Sequence, residues 1–178
     1  MHITINHKIY EVIKLLGKGK SGYSYLVKDE KNKEFVIKQI HHEPCDYYQF
    51  GNKLEAEIHA YQKLLKLKIP MPKLIEVDIE NERILKEYIP GLTVFDMVNQ
   101  NLSVSEALQQ LKNICCVLYQ NHLNIDYFPT NFIMYQDILY YIDYEYNQYM
   151  DEWNFENWGI KYWSKTTEFM DYIKNNKH

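Results

Sequence analysis

The chain is poor in the features that would place it in several large classes. It has three cysteines, Cys45, Cys115 and Cys116. The last two are neighbours in an apolar helical run, where a disulfide is disfavoured, so the thiols read as free in a reducing cytoplasm. No apolar run approaches the ~18 residues of a membrane span. The opening MHITINHKIYEV is polar and alternating, unlike a secretory leader. Neither charge sign dominates: the net charge is −4 and the pI about 6.0, which gives no reason to expect a nucleic acid as main partner. No internal repeat and no low-complexity linker interrupts the chain.

What is present is an ordinary globular composition, 46% hydrophobic and 25% charged, which argues against disorder. The 178 residues suffice for one domain or two small lobes. Aromatics reach 15%, with 17 Tyr, so an aromatic-lined surface or cleft is expected. Lysines concentrate in residues 8–86 and acidic residues gather after Asp137. Such a division suits a polyanionic ligand held with metal ions, although two solvated surfaces explain it as well.

The first forty residues read as strands. KIYEVIKLL, YSYLVKD and EFVIKQI are β-branched or alternating, with GKGKSG between the first two and KNK between the last two. Residues 52–67 change to helical spacing, with Leu54, Ile58, Tyr61, Leu64 and Leu65 in phase and Asn52 as N-cap. Pro70 and Pro72 end that helix. KLIEVDIENERILKEYIPG reads as two strands about IENE, and LTVFDMVNQN as a short helix. SVSEALQQLKNICCVLYQNHL reads as a long buried helix opened by a capping box, Ser103 to Glu106. NFIMYQDILYYIDYE reads as a hairpin turning near Gln136–Asp137. The aromatic tail is expected to end in a helix packed on the body.

Within this frame five pieces follow in order. Gly17, Gly19 and Gly22 fit G-x-G-x-x-G. This is a weak signal by itself, and the strand that follows, in place of a helix, argues against a dinucleotide fold. Backbone without side chains can approach phosphate oxygens closely. Lys38 stands on the third strand in VIKQI. On the next helix Glu55 or Glu57 can face it. Both qualify by position, and Glu57 opens the run EIHAYQKL. NIDYFPTN then supplies Asp126 and Asn131, and IDYE supplies Asp143 across the hairpin. Each piece alone is common, and a surface lysine or a solvated helix glutamate is the ordinary reading. Five in order at workable intervals are not common.

From about residue 10 to residue 146 the chain resembles the protein-kinase-like superfamily. Among its members it looks most like the small atypical prokaryotic ones: lipopolysaccharide kinases, Rio-like and tRNA-modification-associated kinases, and aminoglycoside phosphotransferases. The resemblance implies an α+β, bilobal fold with an antiparallel N-lobe sheet and one αC-type helix over residues 1–88. A shortened, mainly helical C-lobe would follow over 89–178, in a single kinase-like domain. It implies ATP and Mg²⁺ as cofactors. Gly17, Gly19 and Gly22 would cover the phosphates. Lys38, fixed by Glu57, would hold the α- and β-phosphates, and Glu87, Tyr88 and Ile89 would meet adenine at the hinge. Asp126 would be the base, and Asn131 and Asp143 the metal ligands.

The sequence departs from the family pattern in places. Asn124 and Ile125 stand where His and Arg are usual, and Phe128 where a lysine is common. Asp143-Tyr144-Glu145 replaces D-F-G, and Lys86 lies near the gatekeeper position. No A-P-E follows, and only the residues up to 178 are left for a C-lobe. The expected function is therefore an ATP-dependent transfer of the γ-phosphate to a hydroxyl, of a Ser/Thr protein or of a small molecule. The alternative is a non-catalytic nucleotide-binding module, or a kinase completed by a partner. A protein partner could engage the aromatic tail, where Trp153, Trp158 and Trp163 more simply tie the tail down. His41, His42 and Cys45 have metal-type side chains, but without a second cluster they read as a polar loop. The expected location is cytoplasmic, with no membrane span.

Overall fold

The computed structural model describes residues 1–44 and 52–176; Cys45 lies outside them. The protein is mixed α+β, with a six-stranded antiparallel sheet and, among the described residues, four α-helices. It divides into two compact units, Met1–Tyr61 with Pro72–Tyr88, and Gln62–Met71 with Ile89–His178.

The first unit is built on β1 (His2–Ile5), β2 (Lys8–Lys18), β3 (Gly22–Lys28), β4 (Glu34–Ile40), β5 (Leu74–Asp78) and β6 (Arg83–Glu87), in the order β1-β2-β3-β4-β6-β5. Tight turns with left-handed residues make the hairpins, as at Asn6–His7 and Asn32. Side chains alternate between faces. One face carries Ile3, Ile5, Tyr10, Val27, Ile37 and Leu85 as a buried cluster. The register Val36↔Lys86 and Lys38↔Ile84 puts the two lysines on the opposite face, and both are buried. The sheet curls until its edges meet: Asn6 at the β1–β2 turn bonds Glu76, Val77 and Asp78 of β5. An edge closed in this way offers little template for pairing with another chain. Helix α1 (Lys53–Lys66) starts where Asn52 Oδ1 accepts the Glu55 N–H at 3.1 Å. It ends at Lys66, and the left-handed Lys68 turns the chain just before the prolines.

The second unit contains α2 (Val94–Asn99), capped by Thr93, and α3 (Ser105–Gln120). The expected capping box does not form. Ser103 Oγ accepts the Ser105 N–H instead, because the helix begins at Ser105 itself, and Glu106 bonds Gln110. One face of α3, Ala107, Leu111, Ile114, Cys115 and Leu118, is buried. Burial pushes the Cys115 thiol up to about 11, so it is unreactive, and both Cys115 and Cys116 are free thiols. A two-residue strand, β7 (Leu123–Asn124), precedes the hairpin of β8 (Phe132–Tyr135) and β9 (Ile138–Tyr141), which turns at Gln136–Asp137 with both residues left-handed. β10 (Asn147–Gln148) pairs with β7. The chain then runs through short 3₁₀ turns to α4 (Thr167–Asn175), whose Phe169 is buried. Among the described residues no helix is long and apolar enough to cross a membrane.

Candidate functional site

In the first unit the structure brings together the glycine loop, Lys38 and Glu57. The loop spans the β2–β3 hairpin and is closed by the Gly19 N–H on the Gly22 carbonyl at 2.8 Å. Only Gly22 is required by packing. A Cβ there would stand 2.4 Å from the Gln39 carbonyl oxygen and 3.2 Å from Lys38 Cε. At Gly17 an added Cβ would meet nothing, and at Gly19 only the Gly22 oxygen at 3.8 Å. Side-chain crowding thus does not demand glycine at 17 or 19, and Gly17 lies where the β2–β3 register shifts; the bare backbone there leaves room for close approach of a ligand.

Lys38 Nζ pairs with Glu57 Oε1, and both side chains are about nine-tenths buried. Glu57, not Glu55, is the partner: Glu55 lies on the exposed side of α1. Sequence reasoning missed Ser21, whose hydroxyl donates to the same Glu57 oxygen at 2.8 Å and ties the loop to the pair. Glu57 Oε2 is buried without a hydrogen-bond partner. A charge pair is tolerable in so dry a place only because each partner compensates the other. His41 holds the loop from outside, through its ring on the Gly19 carbonyl at 2.9 Å and its N–H on the Ser21 carbonyl. His42 bonds Glu82. Among the described residues no group of three or more His, Cys, Asp or Glu side chains is placed to hold a metal ion. At the end of β6, the Glu87 N–H bonds the Lys73 carbonyl. Glu87 and Tyr88 close the first unit, and Ile89, buried, begins the long segment of the second.

In the second unit Asp126, Asn131 and Asp143 share one network. Asp126 is half-buried on the loop after β7, and its Oδ1 accepts the Phe128 N–H at 3.1 Å, an Asx turn. Asn131 Nδ2 donates to the Asp126 carbonyl at 3.3 Å. The Ile142 N–H donates to the Asn131 carbonyl, which extends the β8–β9 pairing and sets Asn131 opposite the strand end that carries Asp143. Asp143 Oδ1 accepts the Tyr144 N–H at 2.9 Å, and the Tyr144 ring is buried. Tyr141, unforeseen in the sequence, links the two acidic segments. Its fully buried hydroxyl accepts the Asp126 N–H at 3.4 Å and donates to the Glu145 carbonyl at 3.0 Å. Burial, then the carboxylates of Asp143, Glu145 and Asp126, push this phenol well above its ordinary value, so it stays protonated as a donor.

The donor set fits a hard divalent cation. With Asn131 Nδ2 engaged on a backbone carbonyl, its Oδ1 is the side-chain atom that can ligate a cation, and Asp143 follows Ile142, whose N–H bonds the Asn131 carbonyl. One amide and one carboxylate match Mg²⁺, which completes its shell with water and substrate phosphate oxygens.

No family model matches the chain. Among curated proteins it is similar to a probable bifunctional tRNA threonylcarbamoyladenosine biosynthesis protein of Methanocaldococcus jannaschii, 30% identical over 135 residues. The match covers 73% of this chain and 24% of that protein, so the chain spans about a quarter of its relative's length.

Proposed function

We propose that the chain is an Mg²⁺-ATP-dependent phosphotransferase of the protein-kinase-like class, acting on a hydroxyl acceptor. The curled sheet with α1 is read as its N-lobe, and the second unit as its C-lobe. The observation that carries this reading is the buried Lys38–Glu57 pair beneath a glycine loop whose Gly17 and Gly19 packing does not require.

In this reading Lys38, held by Glu57, binds the α- and β-phosphates of ATP, and the loop backbone at Gly17, Gly19 and Gly22 covers them. Glu87, Tyr88 and Ile89 supply backbone groups to adenine. Asp126 orients the acceptor hydroxyl and takes its proton as the γ-phosphoryl group leaves ADP for the acceptor oxygen. Asn131 and Asp143 hold Mg²⁺, which offsets charge on the phosphates. Catalysis of this kind is positioning and electrostatics, and the contacts at Asp126, Asn131, Tyr141 and Asp143 serve that end. The test is γ-phosphate transfer by wild type and Asp143→Asn, with nucleotide binding measured by calorimetry on both. Transfer lost in the variant supports the reading; equal transfer by both proteins would refute it.

A second reading is a module that binds nucleotide and needs another component for activity. It is favoured by the match to a quarter of a bifunctional tRNA-modification protein, and by Trp153, 51% exposed on the tail. It would place this chain beside a tRNA-modifying partner. Nucleotide binding without transfer by the isolated chain, with transfer appearing on addition of such a partner, would select it.

A further inference from the structure

We propose that the C-terminal tail is a strap that positions Asp126, with Trp163 as its peg. The inference deepens the kinase reading and rests on it. The Asp126 loop is held internally by the Phe128 and Asn131 bonds already described and, at its start, by Tyr141. Its next two residues are held by the tail. The Trp163 indole N–H donates to the Tyr127 carbonyl at 2.8 Å in a buried bond, and Trp163 is 1% exposed. Its ring packs edge-on to Phe132 and Phe155. The Tyr127 ring is fully buried against Phe155, and its hydroxyl donates to Asn124. Gly159 lets the tail backbone lie on it, since a Cβ there would come within 2.6 Å of Tyr127 Cβ.

Phe128 is gripped from the same side, by Tyr172 of α4 at 4.7 Å, Tyr162 at 5.1 Å and Trp158 at 6.4 Å between ring centroids. The two residues after Asp126 are therefore fixed by side chains of the tail, from Phe155 to Tyr172. A carboxylate that must meet a hydroxyl within hydrogen-bond reach loses rate when its backbone wanders by an ångström. Asn124, just before Asp126, holds the loop through the Tyr127 hydroxyl, and the tail adds the bond from Trp163 on the other side of Tyr127.

The experiment compares wild type, Trp163→Phe and Trp153→Phe as intact chains. Trp163→Phe keeps a six-membered aromatic ring and deletes the five-membered ring with its N–H, so Tm reports the lost packing beside the lost bond. Amide exchange at residues 126–131 and the kcat and KM for phosphate transfer are measured, with Tm alongside. The expected result for Trp163→Phe is about tenfold faster exchange confined to the loop, kcat lowered about tenfold and the KM for ATP unchanged. Trp153→Phe, altered at the exposed end of the tail, should behave as wild type. Unchanged loop exchange in Trp163→Phe would overturn the proposal, and so would exchange raised equally throughout the second unit with a matching fall in Tm. If the wild type transfers no phosphate, the kinase reading fails on that count alone, and the exchange comparison still decides whether the tail anchors the loop.

Discussion

The two units hold their functional charges by opposite means. In the first, Lys38 and Glu57 compensate one another in a dry place, and the groups that meet there come from β4, α1 and the loop. In the second, Asp126 and Asp143 are half-buried, and each takes a backbone N–H from its own turn. A buried ion pair contributes little net stability compared with apolar residues of the same volume, so its presence points to a task. A carboxylate in an Asx turn supports its own loop and can be neutralised without collapsing the unit. On the proposed reading, the comparison separates a pair whose loss should harm folding and activity together from acids whose loss should harm activity alone.

The sharpest way to break that comparison is at the acids. Asp126→Asn and Asp143→Asn should each lower phosphate transfer about a thousandfold, within the range for removing a general base or a metal ligand. Both variants should keep the wild-type thermal midpoint, because an amide oxygen still accepts the Phe128 or Tyr144 N–H. Calorimetry and transfer on the same samples check both halves. A midpoint lowered by ten degrees would show that the acids are structural after all.

The pair should respond the other way. Lys38→Met leaves Glu57 charged, buried and with Oε2 already unpartnered, at a cost of about 3–5 kcal/mol. The double variant Lys38→Met with Glu57→Leu should regain most of that stability while remaining inactive. Urea unfolding of the two variants reads this directly, and a double variant no more stable than the single one would contradict it.

Most strands, α1, α3 and the Gln136–Asp137 hairpin were legible because they rest on periodicity and turn chemistry, which are local. Position on the helix left Glu55 and Glu57 both open, and it was the likeness of EIHAYQKL to the kinase-family helix that singled out Glu57, the partner observed. The first strand was read only as alternating polar residues, although Ile3 and Ile5 with an Asn6–His7 turn were its signal. Ser103 failed as a cap because a helix start is decided within one residue, and the chain chose Ser105. Ser21, Tyr141 and Trp163 were not legible as site residues. Each acts through a partner many positions away, on Glu57, Asp126 and Tyr127 respectively, and no spacing encodes such a contact. The composition did foretell the material: with 17 Tyr and 3 Trp in the chain, the second unit packs rings against rings.

That ring packing sets the third expectation. Gly159→Ala must displace either the tail or Tyr127, because the new methyl has both the Tyr127 Cβ and a Phe155 ring carbon within 3 Å. Overpacking of this kind costs about 1–3 kcal/mol, less than breaking the ion pair. The loss should appear as a lowered midpoint. Tryptophan fluorescence should shift to the red as Trp163 gains water. An unshifted spectrum with full stability would mean that the tail adapts without cost.

The smallest effect belongs to the first unit, at a carboxylate that behaves like those of the second. Asp78 is 3% exposed and closes the curl of the sheet, accepting the Asn6 N–H and the Asn81 backbone and side-chain N–H groups, each at 3.0 Å. The Asn6 N–H, followed by the Asn81 side chain, holds its carboxyl below the ordinary aspartate value of 3.8. A carboxyl lowered in the folded state adds stability that is complete above the unfolded value and is lost as pH falls through the folded one. Wild type should therefore lose part of its midpoint as pH drops below about 4. Asp78→Asn should start slightly lower at neutral pH and fall less steeply, so that the two curves converge in acid. Parallel curves from pH 7 to 2 would show that Asp78 contributes through the shape of the turn and not through its charge.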